Sequence, residues 1–319
     1  MKTHPSGSAS LLAKAFHARV EKPFTYRGMC DASAAAPLGP DCFVAANDER
    51  NQLKVYQRGK RDPVDVIDLS EFLGTKKDKE SDLEGTATVG ERIYWISSHG
   101  RNKKGKFQGR RHRFFATDIV DGTVKPVGQP YRELLADMLA TEHLQHYDLA
   151  GASSKTPEAD GAFNIEGLAA TPQGTLLIGL RNPVPHGMAL VIPLLNPDDV
   201  IEGEHAQFGQ AIELDLEGLA VRSLEQLNGS YLVVAGPPAD EGSFALFTWT
   251  GEPADKPVLL LREELADVRP EALFAIPETN RLQILSDDGG EHVKSTAEDK
   301  QEFRSVTITL TDKALQPQG

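Results

Sequence analysis

Only two cysteines, Cys30 and Cys42, occur in the 319 residues. They fall near opposite ends of an expected hairpin and face different rungs, too far apart for a bridge, so buried thiols in a reducing compartment are expected. No apolar run approaches the length needed to cross a bilayer, and the opening "MKTHPSGSASLLAKAFHARVEKPF" has no apolar core of signal-peptide length. A soluble, cytoplasmic protein without membrane contact is the resulting expectation. Positive charge is also short: 34 Lys and Arg stand against 47 Asp and Glu, a formal net charge of -13. The chain as a whole therefore repels nucleic-acid phosphates and anionic membranes, and any anion site must be local. There is no G-x-S-x-G, P-loop, dinucleotide fingerprint or Cys-rich zinc pattern. Helical patterns are few, which disfavours a two-domain α/β reading.

What the chain does contain is a repeat. Five phrases align: "CDASAAAPLGPDCFVAANDER", "SDLEGTATVGERIYWISSHGR", "NIEGLAATPQGTLLIGLRNP", "DLEGLAVRSLEQLNGSYLVVAGPP" and "RPEALFAIPETNRLQILSDDGG". Each reads as strand, turn, strand, usually with two further strands behind it, as one blade of a propeller does. The shared slot holds Ser33, Glu84, Glu166, Glu217 and Glu271. Neighbouring slots lie 51, 51 and 54 residues apart, except that 82 separate Glu84 from Glu166. That gap implies an insertion, and "PYRELLADMLATEHLQHYDL" within it has the spacing of an amphipathic helix. The expectation is an all-β, five-bladed β-propeller over residues 1–319, with a six-bladed ring as the rival. Residues 101–163 would carry a basic loop, an outer strand and the inserted helix. The stretch from Phe16 to Tyr26 would supply the strand that closes the last blade.

The slot lies on the innermost strand, so its residues would ring the central channel. Four ionised Glu roughly 6 Å apart at an effective dielectric of about 20 would repel by about 3 kcal/mol per pair. Protonation, separation by water or cationic partners, or a bound cation must relieve them. All-oxygen ligands point to a hard divalent ion, Ca²⁺ ahead of Mg²⁺, held by Ser33, Glu84, Glu166, Glu217 and Glu271. The alternative is that these side chains bond to neighbouring blades and fix their packing.

Residues after each second strand face the same end. They include Asp48, Glu49 and Arg50, then Ser97, Ser98, His99 and Arg101. Arg181 and Asn182, Pro237 and Pro238, and Asp287 and Asp288 complete the set. Arg50, Arg101, Arg181 and Asn182 are candidates to hold a phosphate or carboxylate, and Asp48, His99 and Asp287 to act as acid or base. The stretch "RNKKGKFQGRRHR" has seven Lys and Arg and no acid. It would steer an anion or touch nucleic acid, the latter ranked last because Phe107 is its only aromatic residue. His143 and His146 lie three apart on the expected helix, a spacing compatible with a metal pair but lacking a third ligand. That helix would cap the site or cover an edge.

The phrases "DLEGTATVGERIYWISSHGRNKKGK" and "FNIEGLAATPQGTLLIGLRNP" resemble an uncharacterised bacterial domain-of-unknown-function family. The slot and the "NDER" turn are similar to the calcium-activated nucleotidases (apyrases), five-bladed propellers with a central calcium ion bound by Ser and Glu. "GLRNP" and "AGPP" depart from the nucleotidase rim, and phytase-like and esterase-like propellers share the "EG" opening. The resemblance implies a metal-dependent hydrolase of a phosphorylated small molecule at the channel mouth. The competing expectation is a non-catalytic propeller that binds a small ligand or a protein over a structural ion.

Overall fold

Apolar strand runs alternate with turns built on Gly, Asn or Pro, and each repeat closes into its own antiparallel sheet. The computed structural model describes residues 16–47, 49–77, 79–157, 159–239, 242–289 and 296–312. Strands β1 (Phe16–Val20) and β2 (Phe24–Arg27) precede the first blade, which comprises β3 (Ala32–Leu38), β4 (Cys42–Asn47), β5 (Arg50–Gln57) and β6 (Asp65–Asp68). After the short helix α1 (Ser70–Leu73), the second blade runs through β7 (Leu83–Val89), β8 (Arg92–Ser97), β9 (Phe114–Val120) and β10 (Thr123–Tyr131). Helices α2 (Leu134–Ala140) and α3 (Leu149–Ser153) follow. The third blade holds β11 (Asn164–Ala170), β12 (Leu176–Asn182), β13 (Ala189–Leu194) and β14 (Ile212–Leu214), with α4 (Pro197–Ile201) before its last strand. The fourth holds β15 (Ala220–Leu227), β16 (Ser230–Gly236), β17 (Ala245–Trp249) and β18 (Val258–Leu261). The fifth holds β19 (Pro270–Ile276), β20 (Arg281–Ser286) and β21 (Glu302–Asp312).

The inner strands β3, β7, β11, β15 and β19 pack side by side in a closed cycle. The molecule is a five-bladed β-propeller, and the six-bladed alternative falls. The last blade draws its outer strands from the other end of the chain: β1 pairs with β21 from Phe16↔Asp312 to Val20↔Ile308, and β2 pairs with it from Phe24↔Ser305 to Arg27↔Glu302. Pairing the ends in one sheet removes exposed edges. The first and last blades also share an aromatic core, where Tyr26, Phe43, Tyr56, Phe274 and Phe303 meet at centroid distances of 5.1 to 5.4 Å.

The inserted segment departs from the single helix its spacing suggested. Pro130 and Tyr131 end strand β10, and the rest breaks into α2, a 3-10 turn over Glu142–Tyr147, and α3. Two residues cause the breaks. Thr141 is extended (ψ 112) with its hydroxyl on the Asp137 carbonyl, and Asp148 is left-handed (φ 47) while its carboxylate accepts from Gly151 N. Leu134, Met138, Leu144 and Leu149 bury against Phe114, Leu190 and Ile192 of the second and third blades, so the segment covers the apolar faces of those blades. His143 donates to the Gly209 carbonyl at 2.8 Å while His146 lies against the Tyr147 ring, so the two have separate surroundings. Cys30 and Cys42 are free thiols. Among the described residues no helix is long and apolar enough to cross a membrane.

Candidate functional site: the channel mouth

Every inner strand begins with a break in register. Pairing skips one residue between Ala32 and Ala34, Leu83 and Gly85, Ile165 and Gly167, Val221 and Ser223, and Pro270 and Ala272. A bulge takes its extra residue out of the ladder and re-aims its side chain. The residues so placed are Ser33, Glu84, Glu166, Arg222 and Glu271, and the last four line a cavity of about 660 Å³ at the channel mouth. The slot thus holds three carboxylates, one hydroxyl and one guanidinium.

Glu217, expected in the fourth position, is not there. It sits in the turn after β14 with φ 58, its side chain 57% exposed and paired with Arg262 at 2.6 Å. The extra residues in "EGLAVRSLEQLNG" hid this. Ser33, Glu84, Arg222 and Glu271 each stand six residues before Gly39, Gly90, Asn228 and Pro277, at or beside the hairpin turn, whereas Glu217 stands eleven before Asn228. Counting back from the turn, rather than matching the "EG" pair, locates Arg222.

Arg222 changes the electrostatics of the ring. Its Nε lies 2.7 Å from Glu166 Oε2, and its Nη2 donates to Glu271 Oε1 at 2.9 Å. Glu166 also accepts from Arg181 Nη1 at 3.0 Å and from Asn164 Nδ2 at 3.1 Å. Burial still pushes the Glu271 carboxyl above its ordinary range, against the pull of Arg222. Ser33 turns sideways and donates to the Leu83 carbonyl at 2.5 Å, tying the first blade to the second. Arg222 thus takes Glu166 Oε2 and Glu271 Oε1, two of the oxygens that a divalent ion at the ring would use. Among the described residues, no group of three or more His, Cys, Asp or Glu could hold a metal ion.

A second charged network lies beside the ring. Arg111 pairs with Glu80 at 3.1 Å and Asp82 at 3.1 Å, Arg110 pairs with Glu80 at 2.7 Å, and Ser98 donates to Asp82. The arginines of the basic stretch therefore turn inward, while Lys103, Lys104 and Lys106 stay exposed. Arg113 is buried on the carbonyls of Leu73, Gly109 and His112, and burial holds its guanidinium down at about 10. Arg101 donates to the Ser153 and Gly105 carbonyls and lines the cavity together with Lys103.

The other expected residues divide. Arg181 lines the cavity, but its Nε and Nη2 are held by the carbonyls of Pro238 and Ala239. Asn182 is buried and donates to Pro238 O. Arg50 pairs with Glu298 at 3.2 Å and lines a separate cavity of about 290 Å³ with Asp31. Asp48 lies outside the described residues. His99 is buried, does not line the central cavity, and donates from Nδ1 to the Ser97 carbonyl at 2.8 Å. Burial and the neighbouring His112 depress its imidazole to about 3, so it is neutral and away from the site.

Asp287 does line the cavity, and its surroundings are unusual. Its backbone bridges to Asp31, joining the last blade to the first. Burial first, then Glu271 and the bond it makes with the Asp31 carboxyl, push the Asp287 carboxyl up to about 8, so it keeps its proton at neutral pH. Gly289 packs so closely that a Cβ there would overlap Asp31 Oδ1.

Residues 126–301 match the model of a family described as "Protein of unknown function (DUF3616)". The chain belongs to DUF3616. No curated protein matches it. Among solved structures it is similar to the β-propeller domain of Cps50 (Swd1) from Myceliophteria thermophila, at 7% identity and TM-score 0.43 over 92% of this chain and 100% of that one. A proposed oxidoreductase (glucose dehydrogenase) from Thermus thermophilus gives 12% identity and TM-score 0.45 over 90% and 100%. Hydrazine synthase from Kuenenia stuttgartiensis gives 9% and 0.39 over 91% and 65%. These likenesses concern the fold alone. The DUF3616 match includes Glu166, Arg222, Glu271 and Asp287. Besides Arg222, sequence reasoning missed Asp31, Asp82 and Arg269, which precede first strands, and Phe244, which ends the loop between β16 and β17.

Proposed function

We propose that the protein binds a small molecule bearing a phosphate or carboxylate in the central cavity, with Arg222 in the part that the sequence suggested for a cation. The observation carrying this reading is a buried guanidinium with a spare donor. Arg222 is 6% exposed and lines the cavity, and its buried Nη1 has no hydrogen-bond partner among the described residues. A buried donor left unmade is costly, and an anion's oxygen would satisfy it. Arg269 lines the same cavity, is exposed and has no ion pair among the described residues, which adds a second cation for the same anion. The volume falls in the range of small-molecule sites.

The test is calorimetric titration with inorganic phosphate and with acetate. Binding by the wild type, weakened about tenfold or more in Arg269→Ala and in Arg222→Lys, is the expected result. Arg269→Ala removes an exposed side chain and keeps the fold, so wild-type affinity in both variants would overturn the reading.

The Asp31–Asp287 pair favours a second reading, hydrolysis of a phosphate ester. A protonated carboxyl at the edge of an anion site can give its proton to the leaving oxygen as the P–O bond breaks, while water supplies the new P–O bond. Asp287→Asn would then abolish turnover and leave phosphate binding intact. A central Ca²⁺ or Mg²⁺ is the competing proposal, and it requires Arg222 to leave Glu166 and Glu271.

A further inference from the structure

A second cavity, of about 610 Å³, lies on the other side of a shared wall: Phe244 and Arg269 line both it and the central cavity. The two chambers differ in character. Acids and arginines crowd the inner one, whereas Phe244, Ala266 and Val268 line much of the outer one. Arg262 is the outer chamber's other cation, and it is already paired with Glu217. Glu263 also borders the chamber.

The sequence fits the ring into this wall by one glycine. Strand β16 ends at Gly236, where an added Cβ would stand 2.7 Å from two Phe244 ring carbons and 2.8 Å from Arg222 Cγ. Any side chain there would displace both. With Gly236 in place, the Arg222 guanidinium carbon lies 5.7 Å from the Phe244 ring centroid, within cation–π range. Phe244 stays only half-buried, so part of its ring is open to a ligand.

We infer that the site takes a phosphate monoester whose ester group is planar and apolar. The phosphate lies in the inner chamber at Arg222 Nη1 and Arg269, and the planar group lies along Phe244 in the outer one. This rests on the anion-binding reading above and adds the ligand's second half. An anion alone would use only the inner chamber. A polar ester group would gain nothing from Phe244, Ala266 and Val268, while an aromatic one buries apolar area and meets a ring of suitable geometry.

The experiment titrates the protein with inorganic phosphate, glycerol phosphate and phenyl phosphate. Phenyl phosphate should bind about tenfold more tightly than glycerol phosphate. Phe244→Ala should erase that preference, read as the ratio of the phenyl phosphate and glycerol phosphate affinities in the same variant. Phe244→Leu keeps an apolar wall beside Arg222 and should retain part of it, guarding against a merely loosened arginine. Phosphate binding without a preference for the phenyl ester would overturn this inference and leave the anion site standing. A preference that survives Phe244→Ala would overturn the role of the outer chamber. Binding of none of the three would overturn both readings.

Discussion

The tetrapeptide Glu-Gly-Leu-Ala occurs at residues 166–169 and again at 217–220, and its two copies have opposite fates. In the third blade it lies in the inner strand, with Glu166 buried and held by Arg181, Arg222 and Asn164. In the fourth, Glu217 and Gly218 take positive φ (58 and 81) in an exposed turn, and the strand begins only at Ala220. Local sequence did not decide between them. The distance to the hairpin turn did, because register is set by where the two strands reverse and by which face must be buried. Two identical acids thus became a buried ion-pair partner and a surface residue, and an arginine entered the ring.

The sharpest way to break this comparison is to remove each acid. Glu166→Ala leaves buried Arg222 and partly buried Arg181 without their carboxylate and should destabilise the fold by about 3–5 kcal/mol, as loss of one member of a buried pair does. Glu217→Ala, which ends one largely exposed pair, should lie at the other extreme, under about 1 kcal/mol. Denaturant unfolding measures both, and equal effects would mean that Glu217 shares the ring.

Acids pushed upward supply an intermediate effect. Burial raises Glu225 to about 8, and burial with Glu271 and Asp31 alongside raises Asp287 to about 8. A carboxyl whose folded pKa exceeds its unfolded value binds protons more tightly when folded. Its contribution is therefore fully present below about pH 4, lost as pH rises to about 8, and constant above. Glu225→Gln should raise the melting temperature at pH 8, by on the order of 2 kcal/mol of stability, and change it little at pH 4. A difference independent of pH would contradict the assignment. Smaller still is the expected effect of replacing Lys103 and Lys104, which should move stability by less than about 0.5 kcal/mol and weaken anion binding only at low salt.

The fold was legible because its signal is distributed: five strand–turn–strand units at propeller spacing, the missing outer strand and the long insertion are each written in many residues. The site was legible in part. Glu84, Glu166, Glu271, Arg101, Arg181 and Asp287 do line one cavity. The remainder depends on single-residue register. Arg222 is one charged residue inside an apolar run, Phe244 reaches the cavity only because Gly236 leaves room, and His99 looked available yet turned inward to Ser97. Asp31 became informative only when the ring closed and brought it to Asp287, residues that lie at opposite ends of the repeat array.

The central claim is that an arginine relieves the acidic ring and offers its free donor to an anion. Thermal melts of the metal-analysed protein, in chelator, in Ca²⁺ or Mg²⁺, and in phosphate, test it most directly. A ligand at a hundred times its dissociation constant adds about 2.7 kcal/mol of stability. The account predicts a rise in phosphate that is lost in Arg269→Ala, and no change with chelator or with either cation. One tightly held divalent ion per chain, with a melting temperature that falls when it is stripped, would contradict it.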